Sequence, residues 1–474
     1  MTDVASLAAG FPPASEEAWA ELVRKTLKDR PPETLKGATA EGLPIEPLYR
    51  PAADARPLLG PRDPVRPWDV RTLTSHPDPA RANREVLADL GGGAASVIVR
   101  IDPTGERGVA VGSGEGLARV LEAVELELAP VALEAGFLGP QAADWLHALA
   151  KSSPGARLLF HLDPLSAFAE AGASPGPVES HVIAAANVAA RLSQAYPKAG
   201  LFLASGRIVH EAGGGEAGEI AFAAAAGLAY AKALVRAGLP MDAAFGGVTL
   251  GLAVDSDVFL SLSKLRAARL VWGQIAEACG ARAPVRVEAR ASQRMLAARD
   301  AWTNMLRLTA AGFAAATGGA DAVVLGCFTD PLGLPTAFAR RQSRNTQLVL
   351  MEEAHVGRVA DPAAGSGYVE TLTEQLARAA WHRFQAIEAA GGIVPALASG
   401  LIARDVDAAR AAREAAGKPR IVGVTAFPPD KDAPPEVERA EPRPVEAPSP
   451  RLPGPDGACP PLAPIRLSAP YEVA

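Results

Sequence analysis

Four residues with acid–base chemistry stand at or near the ends of β-rich runs: Glu134, His161, Asp163 and His210. Carboxylates and imidazoles so placed can exchange protons with a bound substrate. Nothing in their spacing ties them into a nucleophile–base pair. Lys264, Arg266 and Arg269 share one helical run and could hold phosphates, but a salt-bridged outer helix accounts for them better. Glu352 and Glu353 are adjacent; neighbours on a helix diverge by about 100°, so they read as a solvated face, not a carboxylate pair. Gly365-Ser366-Gly367 offers either a close backbone approach to a cofactor or a tight turn. Arg340-Arg341 and Arg344 form a basic face, open to an acidic partner surface or to solvent. Cys279, Cys327 and Cys459 are too far apart for a zinc motif or a disulfide framework and read as reduced thiols. No metal site is expected.

These side chains need a frame. Between about residues 85 and 390, short β-rich runs alternate with Ala/Leu-rich helical runs. Strands are expected near Ser96–Ile101, Leu126–Glu134, Leu158–Leu162, Leu201–Ser205, Phe245–Leu252, Val285–Ala289, Ala322–Leu325 and Val359–Ala360. Helices are expected between them, among them Ala217–Ala237, Val258–Cys279, Leu334–Glu353 and Val369–Ala390. Eight β/α units in series predict an α/β fold closed as a (β/α)8 TIM barrel. The rival is an open doubly wound sheet. No Gly-x-Gly-x-x-Gly follows a first strand, which argues against a dinucleotide site.

The flanks differ from the barrel. Residues 1–75 read as an extended arm: Phe11-Pro12-Pro13-Ala14-Ser15 leads into a short amphipathic helix around Glu17–Leu27, with Ser15 as N-cap, and Pro-broken segments follow. Trp19, Leu22, Val23, Leu27, Leu43, Ile45 and Leu48 favour docking on another surface. The barrel unit spans 76–427 and includes a helical hairpin at Gly391–Ala416, with Gly391-Gly392 as a stop and Asp405 as a start. Ile421–Thr425 reads as a buried strand, and 428–474 as a Pro-rich, PPII-like linker or tail. The net charge of −6 argues against nucleic acid as a main partner. The most apolar helical stretch, Ile220–Val235, is interrupted by Lys232 and is too short to span a bilayer. The N-terminus lacks a basic n-region, so no signal peptide is expected and a soluble, cytoplasmic protein follows.

Four segments in order carry a family resemblance: Glu17-x-Trp19 to Lys25 with Gly42-Leu43-Pro44-Ile45-Glu46-Pro47-Leu48-Tyr49; Arg66-Pro67-Trp68-Asp69-Val70-Arg71; Lys264 to Trp272; and Ala298 through Glu370, including Arg344-Asn345-Thr346-Gln347 and Asp361-Pro362-Ala363-Ala364-Gly365-Ser366-Gly367. Together they resemble methylmalonyl-CoA mutases, and the run Glu353 to Ser366 is closer to the small (β) subunit than to the large one. The resemblance implies a barrel, an arm that wraps a large catalytic subunit in a heterodimer, and adenosylcobalamin in the assembled enzyme. That enzyme interconverts methylmalonyl-CoA and succinyl-CoA by radical chemistry supplied by the cofactor.

The residues that would carry this chemistry are missing. The family's Tyr slot holds Leu73, and its His slot in a Ser-Gly-Tyr-His turn holds Ile208. His210 lies two residues on and would share a face with Ile208 if the segment were extended. Pro164 to Glu179 contains no Arg or Lys for the substrate carboxylate, and the preceding Gln slot aligns with His161. None of the seven histidines sits in Asp-x-His-x-x-Gly, and the chain ends where a cobalamin-binding domain would begin. The expectation is a catalytically silent subunit with no cofactor of its own, stabilising a partner that binds cofactor and acyl-CoA. His210, Gly365 and Ser366 are its only candidates for cofactor contact. The alternative is an active acyl-CoA mutase barrel served by a cobalamin domain in trans; a further rival is an unrelated barrel enzyme built on His161, Asp163, Glu134 and His210.

Overall fold

Eight parallel strands close on themselves in chain order: β1 (Asp69–Thr74), β2 (Ser96–Arg100), β3 (Val131–Glu134), β4 (Leu158–Leu162), β5 (Gly200–Ser205), β6 (Val248–Val254), β7 (Arg286–Ala291) and β8 (Ala322–Val324). β8 pairs back to β1 through Ala322↔Asp69 and Val323↔Val70, so the sheet has no free edge. The architecture comes from a computed structural model that describes residue 10, residues 15–28 and residues 30–472. The expected TIM barrel is present. Its first strand, however, is Asp69–Thr74, inside the expected arm. The expected eighth strand, Val359–Ala360, is a loop in which Val359 is exposed. The inward-facing charge of Arg71 disguises β1 as polar chain; in the fold that charge is neutralised inside the barrel.

Other boundaries shift for local reasons. Phe245 closes a short helix, Met241–Gly246, before β6 begins. The helix expected from Leu334 starts at Ala337 under a Thr336 cap and runs to Leu348, then widens into a π turn, Val349–Glu353. The helix Glu216–Arg236 has 21 residues, about 31 Å at 1.5 Å per residue; it is as long as the expected Ala217–Ala237 and longer than the apolar stretch Ile220–Val235 within it. By length and composition it could cross a bilayer, but 83% of its most apolar window is buried in the fold, as befits a core helix. It packs on β5, β6 and the helices Val258–Ala278 and Gly367–Ala389.

The arm divides into two parts. Ser15 caps the helix Glu16–Leu27 as expected, accepting from the Ala18 N–H; Phe11–Ala14 lie outside the described residues. That helix buries no residue, and Leu22 is 64% exposed. Beyond it the arm lies on its own barrel. Tyr49 packs against Tyr368, the Ala52 N–H donates to Gly365 O, and Leu59 and Trp68 are buried.

The C-terminal flank departs further from expectation. The hairpin is Ile393–Ala398 and Leu401–Ala415; its second helix starts after Gly400, in the left-handed region, not at Asp405. Ile421–Thr425 is no strand, and Val422 is exposed. The Pro-rich tail has almost no regular structure, yet it is fixed around the barrel mouth. Glu438 bridges to Leu334, and the Val445 N–H donates to Pro103 O. Gly457–Ala458 pairs with Ala173–Ser174. The N–H groups of Leu462, Ile465 and Leu467 donate to Ala169, Glu211 and Arg294.

Candidate functional site

A cavity of about 1020 Å³ opens at the C-terminal ends of the strands, the end at which barrels place their chemistry. Leu73 from β1 and Ile208 from the turn after β5 both line it, together with Pro450 and Pro464 of the tail. The side chain of Leu73 points inward, packed against Ile98, Ala132, Leu159 and Val324. The β5 turn is drawn in by Gly206: a Cβ there would stand 2.2 Å from Glu219 O, so only glycine lets the turn seat against the helix Glu216–Arg236. The turn is helical, Arg207–Glu211, which overturns the extended reading of this segment. At about 100° per residue, positions two apart point in roughly opposite directions. Ile208 faces the cavity, while His210 is fully buried away from it.

His210 instead sits in an ionic cluster behind the mouth. Its Nε2 lies 2.9 Å from Ser292 Oγ, and its Nδ1 lies 3.4 Å from Glu219 and 3.6 Å from Glu216. Lys264 pairs with Glu219 at 2.6 Å, and Arg294 lies 3.4 Å from Glu216 and 3.5 Å from Asp255. Lys264 and Arg294 thus bridge three carboxylates, Glu216, Glu219 and Asp255, around the buried ring.

A second ionic layer crosses the barrel axis below the cavity. Arg71 bonds Glu288 at 2.7 Å and Asp69 at 2.6 Å. Arg290 bonds Glu134 at 2.8 Å and reaches Glu288 at 3.3 Å, and Arg100 bonds Glu134 at 2.7 Å. Burial alone would raise the Glu288 carboxyl, but Arg71, His161 and Arg290 outweigh it and hold it at about 2. A second cavity, of about 40 Å³, lies at the far end of the barrel; Arg71 and His161 line both, so the ionic layer is the partition between them.

His161 and Asp163 flank this layer. β4 bulges between Leu159 and Leu162, and His161 takes a positive φ of 45°, which L-residues seldom adopt. Its Nδ1 is 3.9 Å from Glu288, and its Nε2 has no hydrogen-bond partner. Burial depresses the imidazole to about 4, against the pull of Glu288, so the ring is neutral at pH 7. Burial raises Asp163 to about 6, although Tyr230 OH donates to it at 2.6 Å and it caps the helix Pro164–Ala171. Glu134, His161 and Asp163 therefore share the cavity, as the sequence placed them. His210 does not.

The remaining candidates have structural partners. Gly365 has a φ of +85°, and Ser366 caps the helix Gly367–Ala389. The arm covers this turn so closely that a Cβ on Gly367 would meet Arg50 O at 1.8 Å; neither Gly365 nor Ser366 lines the mouth cavity. Lys264 and Arg266 are ion-paired as expected, but on a buried helix rather than an outer one: Arg266 holds Asp361 and Glu370 with no exposed surface. Of the expected basic face, Arg340 and Arg344 are buried and both bond Asp89, while Arg341 is exposed. Glu352 and Glu353 are exposed, as expected. Cys327 lines the cavity; burial pushes its thiol well above the usual range, which disfavours the thiolate.

The family model for methylmalonyl-CoA mutase matches residues 64–449, the barrel and the first part of the tail. The chain belongs to the methylmalonyl-CoA mutase family. It is similar to the methylmalonyl-CoA mutase small subunit of Streptomyces virginiae, 40% identical over 468 residues, covering 92% of this chain and 74% of that protein. It is also similar to the small subunit of Propionibacterium freudenreichii subsp. shermanii, 35% identical over 459 residues, covering 89% of this chain and 70% of that protein. The methylmalonyl-CoA mutase of Escherichia coli K12 is 28% identical over 455 residues, covering 87% and 64%.

Within this mutase barrel, sequence reasoning missed the inward charges: Arg71, Arg100, Arg207, Glu288 and Arg290. The signal was available. Asp69-Val70-Arg71 and Glu288-Ala289-Arg290 alternate charged and apolar residues in strands with no exposed member, and a period of two puts those charges on one face.

Proposed function

We propose that this chain is the catalytically silent small subunit of an adenosylcobalamin-dependent methylmalonyl-CoA mutase, stabilising a large subunit that carries cofactor and substrate. One observation carries the reading. Leu73 and Ile208, which stand where the family resemblance calls for Tyr and His, line the same cavity. Neither can donate the hydrogen bond that a migrating thioester carbonyl needs. The nearby histidine that could have substituted, His210, is turned away and buried beside Glu216 and Glu219.

The described residues do not fit a corrinoid. His161, the one histidine in the cavity wall, is locked beside Glu288 within the barrel rather than offered on an Asp-x-His-x-x-Gly loop. The ionic layer also closes the axis to a long acyl chain. The unpartnered face of the helix Glu16–Leu27, with Leu22 outermost, supports an arm that engages a second subunit. Soluble, cytoplasmic location and a heterodimer complete the reading. The test is an Ile208→Ala variant co-purified with its large subunit. Turnover equal to the unsubstituted complex is expected, and a tenfold or larger loss contradicts the proposal.

A further inference from the structure

The first part of the arm is tied to the barrel by one polar side chain. Among the described residues, every hydrogen bond and ion pair from residues 15–48 to the chain beyond Arg50 is made by Glu41. The other bonds of this stretch stay within the arm: Lys36 with Glu46, Arg50 with Glu16, and the turn from Thr39 to Leu43. Leu43 adds an apolar contact with the core. From Tyr49 onward the arm is fixed separately, by Tyr368 and by Gly365 O.

Glu41 is set into the N-terminus of the core helix Glu216–Arg236. Its Oε2 accepts from the Ala217 N–H at 3.0 Å, and its Oε1 lies 3.2 Å from Arg383. Ala217 is the second residue of that helix, where an N–H has no intrahelical acceptor, so protection of this amide reports on Glu41. Gly215 makes the room. Its φ of −89° and ψ of 168° suit any residue, but a Cβ there would overlap the Glu41 carboxyl. The seat is also crowded with like charge. Glu216 and Asp405 face Glu41; Arg383, shared with Asp405, and Arg413 oppose them. Glu216 in turn has Arg294 at 3.4 Å and His210 Nδ1 at 3.6 Å. The Glu41 side chain is 8% exposed. Burial, and then Glu216, raises its carboxyl above the usual range, against the pull of the Ala217 N–H and Arg383. The docked arm therefore holds the proton more readily than a free arm, and docking weakens as pH rises through that ionisation.

We propose that Glu41 is a releasable, charge-sensitive pin: seated, it lays the first part of the arm on the barrel, and ionised or displaced, it frees that part, with the helix Glu16–Leu27, to swing about Tyr49. The pin belongs to the chain alone, so it stands or falls separately from the silence of the barrel and from the large subunit.

The test is hydrogen exchange on the full 474-residue chain, corrected for intrinsic rates and read at the Ala217 amide and over residues 37–45. Strand β2, Ser96–Arg100, is the control for global opening. Gly215→Ala displaces the carboxyl without touching the arm. It is expected to lower protection at both readouts by about tenfold, as is Glu41→Ala, with β2 unchanged. In the parent, protection at both is expected to fall between pH 5 and pH 8. Glu41→Gln keeps an acceptor for the Ala217 N–H and cannot ionise, so it is expected to stay protected across that range. Parent-like protection in Gly215→Ala, a parent indifferent to pH, or a Glu41→Gln that follows the parent's pH response would each overturn the proposal. So would a change at Ala217 with residues 37–45 unmoved, which would make Glu41 a helix cap only, or a loss seen only together with β2.

Discussion

His161 and Asp163 are two residues apart, yet they push stability in opposite directions over the same pH range. His161 is held at about 4 in the folded chain against about 6.5 when unfolded, so the unfolded state binds more protons between those values. Its contribution is present above pH 6.5 and is lost as pH falls through 4. Asp163 is held at about 6 against 3.8, so the folded state binds more protons in between, and its contribution is lost as pH rises through 6. His161→Gln is therefore expected to gain stability relative to the parent as pH drops from 6.5 to 4. Asp163→Asn, which can keep its cap and its bond from Tyr230, is expected to gain as pH rises from 4 to 6. Each effect is at most about 3 kcal/mol. Melting temperatures across pH 4–7 would decide; parallel curves for the two variants would refute the assignment of these burials. The residue scale is also where sequence reading was weakest. It placed His161 and Asp163 at the strand ends but had no means of seeing that a five-residue helix turns His210 away from Ile208.

At the scale of elements, two contacts hold the frame of the mouth. Arg266, on the helix Val258–Ala278, ties Asp361 to Glu370 at the start of Gly367–Ala389, and the arm closes over Asp361 through the Leu58 N–H. Removing a buried cation strands its carboxylates. Arg266→Leu is expected to cost about 3–5 kcal/mol in urea unfolding, whereas replacing the exposed Arg378, whose partner Glu374 is also exposed, should cost under about 0.5 kcal/mol. The second contact is the tail. Leu462 is 2% exposed and packs in the main core, so Leu462→Ala should lose about 2–4 kcal/mol. A free linker would show no change. The strand–helix alternation was legible because buried parallel strands read as apolar runs. β1 was not, since its inward residues are charged, and neither was the tail, since proline-broken chain shows no periodicity even where it is fixed by backbone hydrogen bonds.

For the whole molecule, the sequence revealed the barrel and the slots at Leu73 and Ile208 because both depend on local order along the chain. It could not reveal that charges from β1, β2, β3 and β7 meet across the axis, because that depends on closure. The central claim is that this barrel keeps its shape without the groups for radical isomerisation. It is tested most directly by incubating the purified chain alone with adenosylcobalamin and methylmalonyl-CoA and following succinyl-CoA by mass spectrometry. No product above the protein-free control is predicted. Sustained conversion over many turnovers by this chain alone would contradict the account.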